Sequence, residues 1–327
     1  MIRRALVAVA APLIAVAAIR PLTDGMARRL MAAPRTGPDE TGIRAPLEAL
    51  GGEVARLRAR DGLRLAGRWL SAEAVEDGDW TPDPREAVLL LHGWTGSIAP
   101  DLVEHAPYLR RTANVLGLDF RGHGGSDDGP TTFGVLEVED VAGALAWLGD
   151  RGVRRVALMG SSMGGVTALA AVVVLGDGRL TAADSDPDAP AAIVEAPRPR
   201  IVALVADSVP PELAIVVAGR MRVPFGHRFA DRAFGRIGRT AGADPRATQP
   251  ARTVPLLEDV PLLLINGDAD ATVPLRDALR LAALAPAGTR HLVIAGADHG
   301  VGHAADPGVY EAAVTDHLRA AFAMTRT

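Results

Sequence analysis

Gly160-Ser161-Ser162-Met163-Gly164 follows the apolar run Val156–Met159 and leads into a second apolar run, Val166–Leu175. A serine at this spacing between two glycines fits a sharp strand-to-helix turn, which pushes its hydroxyl out of a sheet as a nucleophile. Such a turn strains the backbone, so its close neighbours must lack bulk. Gly160 and Gly164 remove the side chains that would clash with the facing strand and helix. The helix N-terminus also presents free N–H groups, and that of Met163 points to where a tetrahedral oxyanion would form.

A serine hydroxyl is a poor nucleophile until a base takes its proton, and the base needs an acid to orient it. With this type of turn the three residues follow the chain order Ser, Asp or Glu, His. Two later loops supply that order. Gly267–Pro274 follows Leu262–Asn266 and carries Asp268 and Asp270; Gly296–Gly300 follows Leu292–Ala295 and carries His299. Both leave the carboxyl ends of expected parallel strands, where open α/β sheets place their sites. Asp119, which ends an earlier strand, and His303, just past His299, are rival acid and base.

The positioning elements read clearly. Strands are expected at Ala87–Leu91, Val115–Asp119, Val156–Gly160, Ile201–Ala206, Leu262–Asn266 and His291–Ile294, all short and apolar. Helices are expected at Leu102–Arg111, Val135–Leu148, Met163–Leu175, Leu275–Leu284 and Pro307–Met324. This alternation indicates a parallel sheet covered on both faces. Two alternating runs, Glu53–Arg60 and Leu63–Leu70, are joined by Asp61-Gly62 and predict a hairpin. Residues 176–200 form a long acidic excursion, and 210–255 an arginine-rich insertion that would make a small helical lid over the strand ends.

With these elements placed, the chain resembles the α/β-hydrolases, and among them the Bem46-like and YqkD-like bacterial serine hydrolases, many of which carry an N-terminal apolar anchor. The matching stretches are Leu91-His-Gly-Trp-Thr-Gly96, Asp119-Phe-Arg-Gly-His-Gly-Gly-Ser-Asp127, Thr132-Phe-Gly134 with Glu139-Asp-Val141, the Ser162 turn, Asp270-Ala-Thr-Val-Pro274 and His299-Gly300. The resemblance implies an α/β-hydrolase fold with an eight-stranded, mostly parallel sheet. It also implies Asp270 as the acid, His299 as the base, and the N–H of Trp94 as a second oxyanion donor beside Met163. Asp268 would then shape the turn, His92 brace the oxyanion loop, and His123 stabilise its own loop. The implied activity is hydrolysis of a carboxylic ester or thioester through an acyl-enzyme, with no metal or organic cofactor and a small-molecule or lipid-like acyl substrate. Amide or peptide hydrolysis is the alternative within enzymes; it would need an acidic pocket for the substrate amine. Glu137, Glu139 and Asp140 are the available acids, read from helical spacing as surface charges. A non-catalytic binding protein is the alternative from another class, and it predicts a damaged triad.

Composition sets bounds. The net charge is −4 and 23% of residues are charged, so nothing draws the chain as a whole toward nucleic acid. The chain has no Cys, which removes thiol catalysis and disulfides. Residues 1–23 begin with Arg3-Arg4 and an apolar run from Ala5 to Ile19, closed by Arg20. That run suits a short membrane anchor extended through Leu22, a cleaved signal with Ala15-Val16-Ala17 as the site, or a helix packed on the domain. Residues 24–52, rich in Pro and Gly, read as a linker to a domain over 53–327.

Overall fold

The computed structural model describes residues 20–33, 35, 42–74, 80–94, 96–175, 198–221, 226–257 and 259–326. The apolar run at 5–19 and nearly all of the acidic excursion lie outside these residues. Among the described residues, no helix is long and apolar enough to cross a membrane.

Eight strands form one sheet: β1 Glu53–Arg58, β2 Arg64–Leu70, β3 Glu86–Leu91, β4 Asn114–Leu118, β5 Arg155–Ser161, β6 Arg200–Asp207, β7 Leu262–Gly267 and β8 Arg290–Ile294. Their order is β1-β2-β4-β3-β5-β6-β7-β8. The β1–β2 and β2–β4 pairs are antiparallel and all the others parallel. The hairpin turns at Gly62, whose φ of 91° a side chain would resist. Six parallel strands therefore end on one edge, and the loops that leave it carry Ser162, Asp270 and His299.

Alternation along the strands builds a core on each face. Leu89, Leu91, Leu116 and Leu118 pack with the helices Glu137–Asp150 and Met163–Leu175, while Val88, Leu90 and Val115 pack with Ala99–Leu109 and Pro307–Thr325. Every β3 residue is buried, as a central strand covered on both faces requires. Each fully buried Leu here contributes on the order of 1.5–3 kcal/mol of transfer free energy.

Two segments differ from the sequence reading. Residues 20–31, placed across the apolar segment and the linker, are helical. Thr23, Ala27 and Leu30 are buried at i, i+4, i+7 spacing, so one face docks on the domain. Within the rest of the linker, Arg44–Ala49 forms a short helix. The insertion after β6 is helical, as its sequence predicts, with Leu213–Met221 and Gly226–Ala241 as its main pieces. The second of these buries Ala230, Ala233, Phe234 and Ile237, leaving Arg228 and Arg232 exposed.

Candidate active site

Ser162 stands between the end of β5 and the helix Met163–Leu175, with φ at 50°. That left-handed conformation costs a non-glycine residue free energy, and the surroundings must hold it. They do so through two backbone bonds: the Ser162 N–H donates to Asp207 O at 2.8 Å, and Val166 N–H donates to Ser162 O at 3.0 Å. The flanking glycines permit the approach. A Cβ on Gly160 would collide with the backbone of Gly164, and one on Gly164 with the carbonyl oxygen of Leu91.

The loops after β7 and β8 bring their side chains to this hydroxyl. His299 Nε2 lies 3.0 Å from Ser162 Oγ, and His299 Nδ1 lies 2.8 Å from Asp270 Oδ2. Asp270 is fully buried at its side chain and His299 is 13% exposed, so the chain of bonds runs from the interior to the cavity. The other Asp270 oxygen accepts the N–H groups of Thr272 and Val273, both at 2.7 Å, which fixes the carboxylate's orientation. An imidazole held this way keeps its proton on Nδ1, donating it in a hydrogen bond to the acid, and leaves Nε2 free to take a proton from the serine.

The rival residues are occupied elsewhere. Asp268 accepts the Gly296 N–H at 2.6 Å and so ties the two loops together. Asp119 accepts from Ile98 N–H and Gly125 N–H at 2.7 and 2.9 Å. His303 sits between Glu104 and Glu311, at 3.0 and 2.9 Å. Glu137 and Asp140 are buried, not surface charges as their helical spacing suggested. Glu137 accepts from Thr132 and Gly134 and shapes the turn before its helix. Asp140 pairs with the buried Arg121 at 2.7 Å, Arg121 also reaches Asp61, and Glu139 pairs with Arg60. None of the three lines the cavity at Ser162.

That cavity, about 760 Å³, is bordered by Ser162, His299, Trp94 and Met163. Phe133, Leu213, Val217 and Phe234 give it apolar walls. The loop carrying Trp94 is braced by His92, whose Nε2 accepts the Phe120 N–H at 3.1 Å, leaving Nδ1 to donate to Gly93 O at 2.7 Å. Burial, and then the neighbouring His123, lower the His92 pKa to about 3, so the ring is neutral. His123 Nδ1 lies 2.9 Å from Arg121 O within its own loop.

A second network lay beyond the sequence reading. Asp207 ends β6 beside Ser162; its carboxylate accepts Ser208 Oγ–H and Tyr310 O–H, each at 2.8 Å. Burial raises its pKa, while those two bonds oppose the rise. Ser208 Oγ in turn accepts the Gly300 N–H at 3.0 Å, next to His299. The only sequence signal was position, at the carboxyl end of a strand.

A profile of the alpha/beta hydrolase family matches residues 88–313. The chain belongs to the alpha/beta hydrolase family. As a member of that family it is 26% identical over 250 residues to the uncharacterized protein YfhR of Escherichia coli O157:H7, covering 76% of this chain and 73% of that one. To YfhR of Salmonella typhi it is 28% identical over 261 residues, covering 78% and 75%. Its fold is similar to that of the Pyrococcus furiosus esterase Pf2001, with a TM-score of 0.61, 20% identity, and coverage of 90% of this chain and 98% of that one. A thermophilic esterase from Thermogutta terrifontis shares the α/β-hydrolase fold at a TM-score of 0.54 and 19% identity, over 82% and 99%.

Proposed function

We propose that the protein is a serine hydrolase that cleaves carboxylic esters or thioesters. The observation that carries this reading is the unbroken chain Ser162 Oγ–His299–Asp270, at 3.0 and 2.8 Å, opening into an apolar cavity. Ser162 attacks the acyl carbon while His299 Nε2 takes its proton. Asp270 holds the imidazole and stabilises its charged form. The N–H groups of Trp94 and Met163 stabilise the oxyanion. His299 returns the proton to the leaving oxygen or sulfur, and the acyl group stays on Ser162. Water, activated by the same histidine, then releases the acid.

Amide hydrolysis of the aminopeptidase type has less support, because no acidic side chain lines the cavity among the described residues. The Bem46-like subfamily and membrane attachment through residues 5–22 belong to the proposal too. Recovery of a tagged full-length chain as a wholly soluble, uncleaved product would remove the attachment. The activity itself is tested with p-nitrophenyl esters of increasing chain length. Turnover should occur and should fall by roughly four to six orders of magnitude in Ser162→Ala. Retained turnover in that variant would sink the assignment.

A further inference from the structure

The helix at residues 20–31 walls the cavity above Ser162, supplying Gly25, Met26, Arg29 and Leu30. Arg29 is the one Lys, Arg, Asp or Glu side chain in that lining among the described residues. It is exposed, and no hydrogen bond or ion pair engages it among the described residues. Its acidic neighbour on the helix is taken: Asp24 pairs with Arg236 of the lid at 2.8 Å. The helix is also tied in place. Trp94 Nε1–H donates to Leu30 O at 3.2 Å, and Thr131 N–H donates to Met31 O at 2.9 Å. Because the helix is anchored, binding at Arg29 orders only the side chain and not the backbone, and its planar fork suits a carboxylate or phosphate.

We propose that Arg29 is a specificity-determining residue that binds an anionic group of the substrate. The preferred substrate is then an ester combining an apolar chain, which fills the cavity, with one carboxylate- or phosphate-type anion held at Arg29. This inference rests on the serine-hydrolase reading and narrows its substrate class.

The anion could belong to the acyl end or to the alcohol, and two probes separate these cases. One is mono-p-nitrophenyl adipate, with a carboxylate on the acyl chain. The other is 4-carboxyphenyl hexanoate, with a carboxylate on the leaving group. Each is compared with its own methyl ester, which removes the charge, by following release of the phenol. The quantity read is the ratio of kcat/KM for the anionic probe to that for its methyl ester. In Arg29→Gln, one of the two ratios should fall roughly tenfold, recover at least in part in Arg29→Lys, and shrink in the wild type at about 0.5 M salt. The probe that responds identifies the end that carries the anion. If neither ratio changes in Arg29→Gln while the wild type still turns over the methyl esters, the inference is overturned and the hydrolase reading stands. If the wild type turns over none of the four esters and a fluorophosphonate fails to label Ser162, the hydrolase reading falls, and this inference with it.

Discussion

Ser208 Oγ accepts the Gly300 N–H at 3.0 Å, and this bond joins the end of β6 to the loop that carries His299. The same strand end accepts the Ser162 N–H through Asp207 O. One short segment therefore sets both the turn that strains Ser162 and the loop that aims the imidazole. Ser208 is itself strained, with φ at 55°.

Removing that hydroxyl should disturb geometry more than binding. In Ser208→Ala, kcat should fall about 10- to 100-fold with KM changed less than about threefold, since small misplacements of a reacting group are costly. The rate of fluorophosphonate labelling should fall in parallel. A loss of stability with normal kcat in the folded fraction would assign Ser208 a purely structural role.

Gly160→Ala tests the turn. The added methyl would meet the backbone of Gly164, where nothing flexible can yield. The loss of stability should reach about 3 kcal/mol or more, at or above the upper end of what overpacking typically costs, because the neighbour is rigid backbone. Denaturant midpoints of the wild type and variant read it directly.

The buried Arg121–Asp140 pair should behave as a structural element. Asp140→Ala leaves a guanidinium that is 3% exposed without its closest partner. Such a break costs about 3–5 kcal/mol. Urea unfolding should show this loss, while the folded fraction keeps its ester turnover.

Acid should weaken the fold through buried histidines. Burial lowers the pKa of His92 and His105 to about 3 and that of His317 to about 4, from 6.5. The folded pKa is depressed, so below 6.5 the unfolded chain binds more protons than the native one. Stability is thus lost as pH falls from 6.5 toward 3–4. Each such group contributes up to about 2 kcal/mol of this loss between pH 6.5 and 5. Four aspartates oppose the trend, because burial raises the pKa of Asp101 and Asp140 to about 7 and also raises those of Asp119 and Asp207, which favours proton uptake by the native state. In His105→Phe, which keeps a ring against Tyr310, the urea midpoint should rise relative to that of the wild type as pH goes from 6.5 to 5.

Much of this was written in local pattern. The parallel strands are continuous apolar runs, and five helices fall within a few residues of the spans expected from periodicity. That Ser162, Asp270 and His299 would meet at the strand ends was legible because each sits in a short motif there. The helix at 20–31 was not, because Pro21, Gly25 and several arginines mask the i, i+4, i+7 face of Thr23, Ala27 and Leu30. Its contribution depends on docking against Trp94, a contact across 64 positions. The buried roles of Glu137 and Asp140 escaped for a similar reason. Helical spacing says which face a carboxylate is on, but not that Arg121 or the turn at Thr132 folds over to meet it. Ser208 carries no signal beyond its place after a strand, since its strain and its bond to Gly300 exist only after β6 and β8 are assembled.

The central claim is that Ser162 is the nucleophile, activated through His299 by Asp270. The most direct measurement is the site and rate of modification by a fluorophosphonate, read by peptide mass spectrometry. The predicted result is a single adduct on Ser162 in the wild type, none in Ser162→Ala, and labelling slowed by orders of magnitude in His299→Ala, with all the proteins folded. An adduct on a different residue, or equal labelling rates in wild type and His299→Ala, would contradict it.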